Sequence, residues 1–175
     1  HRGFGQSLDD PEGPGRKAFV DDLVGLLDHL GIEETFLVAQ SMGGLTCLGL
    51  ALAQPHRIKG LVMADTTGGI AEESVLKVSQ EWRERTDLTS QNLLTRVMAP
   101  GLEQRNPSLA FLYSQITALN PPRPELPRPT LANGPMAPAL ARLPVPVLFI
   151  AGSEDVISPP HVIMEAHKLI PRSQL

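Results

Sequence analysis

Apolar residues in this chain recur with two periods, and the points where one period gives way to the other mark its elements. Phe19, Val20, Leu23, Leu26, Leu27 and Leu30 stand three and four residues apart, which predicts an amphipathic helix over 17–30, closed by Gly31 at the C-cap. Thr35 to Ala39 is a short apolar run that predicts a strand. Met42 to Gln54 is apolar on nearly every side, as a helix buried all round would be, and Pro55 helps to end it. Ile58 to Ala64 and Val145 to Ala151 predict two further strands. Ser158-Pro159-Pro160 predicts an N-cap with proline at the first helical positions, opening a helix that runs through Leu169. Helix, strand, helix, strand, and later strand and helix again imply crossover connections. The fold class expected is therefore α/β, with a parallel sheet covered on both faces.

Residues 68–142 break that alternation. Val75, Leu76, Val78 and Trp82, then Leu93, Leu94, Val97 and Met98, then Leu109, Phe111, Leu112, Ile116 and Leu119 predict three short helices in succession. Helices inserted between two sheet strands suit a lid over an active site, the plainer alternative being helices that pad the sheet. From Pro121 to Pro146 the chain is dense in proline and predicts a stiff, extended return to the sheet. The organisation expected is a core over 1–67, a helical lid over 68–142 and the rest of the core over 143–175. No internal repeat is evident.

Composition narrows the partners. With 175 residues, 42% of them hydrophobic, the chain is the size of one domain and can bury a core. Its net charge is -4 and its Lys and Arg residues are scattered singly, so no basic stripe offers itself to a phosphate backbone and nucleic acid is excluded as a partner. The longest apolar run, Leu45 to Ala53, is about half of the ~18 residues a membrane span requires. The single cysteine, Cys47, excludes an internal disulfide and fits an inert core thiol in a reducing, cytoplasmic setting.

The chemistry is concentrated at the end of the first predicted strand. There the apolar run Thr35-Phe36-Leu37-Val38-Ala39 leads through Gln40 to Ser41 and then into a helix, Met42-Gly43-Gly44 onward. A strand-turn-helix this tight presses together the backbones on either side of the serine, so the positions two before and two after it must be small. Ala39 and Gly43 meet that need, and the pattern is a nucleophile elbow. A pentapeptide of this kind recurs by chance; its context discriminates.

Several separate segments then agree. His1-Arg2-Gly3-Phe4-Gly5-Gln6-Ser7, the elbow Ala39-Gln40-Ser41-Met42-Gly43-Gly44, the strand Ile58 to Asp65, and Pro146-Val147-Leu148-Phe149-Ile150-Ala151-Gly152-Ser153-Glu154-Asp155 occur in the right order. In these the chain resembles the lidded, esterase- and lipase-like α/β-hydrolases over almost its whole length, with terminal strands of that fold missing. It departs from the pattern at Ala39, where glycine is commoner, and at Gln40, where histidine often sits. The resemblance implies Ser41 as nucleophile, rather than a helix N-cap serine, and Asp155 as the acid, rather than a turn aspartate bonded to its own backbone. Glu154 and Asp65 are the fallback carboxylates. The Met42 backbone N–H would be one oxyanion-hole donor, since the residue after the nucleophile opens a helix whose first amides are unpaired. A small acyl substrate is implied, with no metal and no organic cofactor.

The general base is missing. A serine hydroxyl needs an imidazole to take its proton and a carboxylate behind the imidazole to offset its charge. In this family the histidine follows one further strand, past Leu175, and the loop giving the second oxyanion donor precedes His1. His161 and His167 lie on the helix after Asp155 and are expected to pack or be solvated there, and His29 and His56 to be structural. His1 is expected to shape its loop. Both ends thus look cut, and these residues alone are expected to be nearly inactive, because loss of the base costs on the order of 10⁶ in turnover and loss of one oxyanion donor ~10²–10³. Ester or lactone hydrolysis through an acyl-serine leads. Carbon-carbon bond hydrolysis with the same triad stays open, as does a ligand-binding relative without turnover. An aspartate-based dehalogenase or epoxide hydrolase is disfavoured by Ser41, and a Rossmann-type nucleotide domain by the lack of a Gly-x-Gly-x-x-Gly after a strand.

Overall fold

Periodicity and capping set where each element begins and ends. The computed structural model describes residues 1–2, 6–7, 15–87, 96–119 and 133–175. Helix α1 (Arg16–His29) ends where Gly31, at φ 65°, donates its amide to the Asp28 carbonyl. Strand β1 (Thr35–Gln40) leads into α2 (Gly43–Ala53), and a single 3-10 turn (Pro55–Arg57) into β2 (Ile58–Ala64). Between the second and third strands lie α3 (Glu73–Thr86), α4 (Leu102–Arg105), α5 (Pro107–Ala118) and α6 (Ala137–Leu140). The chain closes with β3 (Val147–Ile150), α7 (Pro160–Lys168) and the two-residue β4 (Ser173–Gln174). Gly3 to Gly5, Leu93-Leu94 and the first part of the proline run, Pro121 to Pro129, lie outside the described residues.

All three strand pairings are parallel and the order is β1-β2-β3-β4, so each strand lies beside its successor. Leu37, Leu61 and Val147 share one register row, and Ala39, Met63 and Phe149 the next. These six side chains point to the same face and are buried with Leu48, Leu50 and Ala51 of α2 and Val162, Ile163 and Ala166 of α7. Burial of this kind contributes ~1.5–3 kcal/mol for each large aliphatic or aromatic side chain.

The opposite face corrects the expectation that both would be covered. Phe36, Val38, Leu148 and Ile150 are 69%, 76%, 40% and 50% exposed, and Val38, Val62 and Leu148 form one row across the sheet. The cause is topological. Successive crossovers that all advance in one direction, and share the usual right hand, place every connecting helix on the same side. Covering the second face takes chain that runs the other way across the sheet.

Two smaller differences have local causes. Strand β3 is shorter than expected because Pro144 and Pro146 lack amide hydrogens, although the Pro146 carbonyl still accepts from Leu61 N–H at 3.0 Å. Helix α7 has Pro159 at its N-cap, without a side-chain cap, and Pro160 at its first position. Ser158 therefore does not cap the helix; its own amide donates to Asp155. In the segment between β2 and β3, α3 packs on α7 and α4 on α5. Of the apolar residues of α5 only Ala110 is buried, while Leu109, Phe111, Leu112 and Ile116 are exposed. Among the described residues no helix is long and apolar enough to cross a membrane.

Candidate active site

Three polar residues leave the carboxyl ends of three neighbouring strands. Ser41 follows β1, Asp65 follows β2, and Asp155 lies on the loop after β3. In an open parallel sheet this edge is the usual place for a site, because the crossover loops there leave a crevice. The carboxyl ends of β1 and β3, from which Ser41 and the Asp155 loop depart, are two strand spacings apart, about 10 Å.

Ser41 is exposed, with φ at 50°, a left-handed conformation uncommon for any residue but glycine. Its amide donates to the Ala64 carbonyl of β2 at 3.1 Å and its carbonyl accepts from Gly44 N–H at 3.0 Å. The turn is thus pinned on both sides while Ser41 itself stays exposed. Met42, with helical φ and ψ, is the N-cap residue of α2, so its amide precedes the first intrahelical acceptors. Sequence spacing placed the size limit at Ala39 and Gly43, and a Cβ built on Gly43 would indeed meet Ala39 Cβ at 4.0 Å, an ordinary contact. The stricter limit is at Gly44, where a Cβ would lie 2.5 Å from Thr66 Oγ1. Thr66 is buried and its hydroxyl oxygen accepts from Gly68 N–H at 3.0 Å, so it has little room to yield.

Asp155 is half-buried, and its Oδ1 accepts from Ile157 N–H at 2.7 Å and Ser158 N–H at 3.0 Å. It therefore makes the turn bonds expected of a loop aspartate, with one carboxylate oxygen. The Asp65 Oδ1 accepts from Gly152 N–H at 2.7 Å, and its backbone also has a positive φ, 49°. Asp65 thereby ties the end of β2 to the start of the loop that carries Asp155. Glu154 is held in an ion pair by Arg105 at 3.0 Å. Beyond Asp65 the turn at Gly68 and Gly69, both of positive φ, is held by the Arg16 guanidinium, which donates to the two glycine carbonyls. Partial burial pulls Arg16 below the usual guanidinium range.

The histidines lie apart from this edge or are engaged in packing. His1 Nε2 is 3.3 Å from Thr46 Oγ1 of α2 and its ring stands edge-on to Phe19 at 4.9 Å, while Arg2 pairs with Asp22 at 2.6 Å. Hydrogen bonds from Arg2 hold the Asp22 carboxyl below the usual carboxylate range. His29 and His56 are exposed, in the last turn of α1 and in the 3-10 turn after α2. His161 is edge-on to Trp82 at 5.0 Å, and His167 Nδ1 lies 2.6 Å from Ser173 Oγ. Cys47 is half-buried on α2, and burial pushes its thiol up. A groove of about 630 Å³ lined by Arg16, Val20, Gly49, Leu52 and Asn133 lies at the opposite end of α2 from Ser41.

Sequence reasoning missed three supports of this edge: Thr66 against Gly44, Trp82 against the Asp155 loop, and the Arg105 to Glu154 pair. Each joins residues far apart in sequence, and no local signal announces it.

Among known proteins, the chain is 32% identical to 3-oxoadipate enol-lactonase 2 of Acinetobacter baylyi, over 90% of this chain and 60% of that protein. It is 28% identical to a 2-hydroxymuconate semialdehyde hydrolase of Pseudomonas putida, over 99% of this chain and 64% of that protein. In structure it resembles a thermophilic esterase from Thermogutta terrifontis, with a TM-score of 0.74 and 27% identity over 99% of this chain and 66% of that one. The chain therefore spans less than two thirds of the length of these relatives. A family model described as the alpha/beta hydrolase fold matches residues 1–175, and with it the parallel sheet, the left-handed serine at the end of β1 and the relatives agree: the chain belongs to the α/β-hydrolase family.

Proposed function

We propose that the protein this chain represents is a serine-dependent hydrolase that opens an ester, lactone or related acyl bond of a small molecule through an acyl-serine intermediate. The observation that carries the reading is the turn at Ser41. It holds a serine hydroxyl clear of the sheet at positive φ, directly ahead of a helix start, with a carboxylate two strands away on the same edge. Ser41 Oγ attacks the acyl carbon as an imidazole removes its proton. The Met42 N–H donates to the oxyanion, and the Asp155 oxygen left over from its turn bonds faces the imidazole and offsets its charge. Two strand spacings, about 10 Å, separate the ends of β1 and β3, a span that an imidazole between the two loops can bridge. That imidazole comes from outside residues 1–175, as does the second oxyanion donor, in keeping with the share of the relatives that the chain spans. Residues 68–142 act as a lid between core segments 1–67 and 143–175. The exposed apolar side chains of α5 and the ties from α3 and α4 to the Asp155 loop support that role.

Carbon-carbon bond hydrolysis is the second reading, favoured by the likeness to a semialdehyde hydrolase. Both are tested in the protein from the uninterrupted reading frame that encodes this chain. A fluorophosphonate probe is expected to label Ser41, and Ser41→Ala to abolish both labelling and turnover of aryl esters or enol-lactones. Turnover that survives Ser41→Ala would overturn the assignment. Turnover of 2-hydroxymuconate semialdehyde in preference to all esters would select the second reading.

A further inference from the structure

The residues on either side of Asp155 are each held by a helix from the segment between β2 and β3. Before it, the Glu154 carboxylate pairs with Arg105 of α4 at 3.0 Å. After it, the Val156 carbonyl accepts a hydrogen bond from Trp82 Nε1 of α3 at 2.8 Å. Trp82 is the only tryptophan of the chain. Its ring is fixed in turn by the edge of His161, 5.0 Å away, and by the Arg85 guanidinium, 5.3 Å from the ring centroid. From the sheet side, Asp65 holds the Gly152 amide. Loop 152–158 is thus anchored at three points, two of them on α3 and α4, which the sheet itself does not position.

We propose that Trp82 is a positioning residue: its indole N–H, acting through Val156, sets where the Asp155 carboxylate stands, so that movement of α3 is transmitted to the acid. Arg105 is a second and weaker tie. Arg105 and Glu154 are each about half exposed, with side chains 52% and 53% accessible, so solvent and salt screen the pair, whereas the Trp82 bond is partly buried. The proposal rests on the reading of Asp155 as the acid, but the tie itself is a statement about the loop and is measured without turnover.

The amides of Ile157 and Ser158 report the Asp155 carboxylate directly, because both donate to its Oδ1. Hydrogen exchange at these two amides is compared in the full chain and in Trp82→Phe, which keeps an aromatic ring and removes the donor. Exchange is expected to quicken about fivefold at Ile157 and Ser158 while the α2 amides stay unchanged, the scale of one lost hydrogen bond acting on local opening. Arg105→Gln is expected to change it less than twofold, an effect that ~1 M salt removes. Unchanged rates in Trp82→Phe, or an equal rise in the loop and in α2, would overturn the proposal, the latter by showing a purely structural role. A check that leaves Trp82 in place uses its own fluorescence. Asp155→Asn, which weakens the acceptor of the two turn amides, should shift the emission of Trp82, and an unmoved spectrum counts against the coupling. If the exchange changes appear but Ser41→Ala leaves hydrolysis intact, the tie stands and the serine-hydrolase reading falls.

Discussion

Ser41 stores backbone strain where the chemistry is proposed to occur. A left-handed conformation costs a residue with a Cβ about 1–2 kcal/mol, and it persists only when neighbouring bonds over-determine it. Here those bonds are the Ser41 amide to Ala64 of β2 and the Gly44 amide to the Ser41 carbonyl. Ser41→Gly is therefore expected to leave stability unchanged or raise it by up to ~1 kcal/mol, and the β-branched Ser41→Val to lower it by ~1–2 kcal/mol. Urea denaturation midpoints measure both; a Ser41→Val chain as stable as its parent would mean that the turn is not held left-handed. At this scale the sequence was legible where the demand is local. Ala39 and Gly43 could be read as small residues around a tight turn. The use of one Asp155 oxygen by Ile157 and Ser158 could not, because an aspartate four residues past a strand permits both a turn and a catalytic role.

Between elements, the closest packing joins the start of α2 to the turn after β2. Thr66 occupies the space where any side chain at Gly44 would begin, and its hydroxyl is committed to Gly68. Gly44→Ala must push α2 away from that turn, at an expected ~1–3 kcal/mol. Thr66→Ala should recover part of the loss in the double variant and Thr66→Ser a smaller part, since serine removes the methyl 2.6 Å from that Cβ but keeps the oxygen at 2.5 Å. Thermal melts of the parent, the three single variants and the two double variants check this, and additive effects would show that the two residues do not meet. Elements with a full period were readable in advance, among them α1, β1, α2 and β2 with their ends within a residue or two. Of the helices between β2 and β3, α3 and α5 were readable as helices; α4 was not, nor was α6, which lies where an extended return was expected, and none of their partners were. That α3 lies on α7, and α4 beside the Asp155 loop, depends on a chain path that passes out of register with every local repeat.

Across the whole molecule, the sheet presents Phe36, Val38, Leu148 and Ile150 on one open face. Parallel sheets are normally covered on both sides, and an apolar surface of this kind favours association. The 175-residue chain is expected to bind a hydrophobic dye such as ANS and to associate with rising concentration, and Val38→Lys to reduce both. Sedimentation velocity decides: a monomer at every concentration that binds no dye would show the face to be inert. By itself, the sequence determined the α/β alternation, the elbow at Ser41 and the acidic residues at strand ends, because periodicity, capping and turn sterics act over a few residues and leave their mark in local order. Only the tertiary structure decided which sheet face is buried, that Gly44 answers to Thr66, and that Trp82 and Arg105 bracket Asp155. Those outcomes follow from the direction in which successive crossovers advance and from contacts between residues up to 74 positions apart, on which local order is silent.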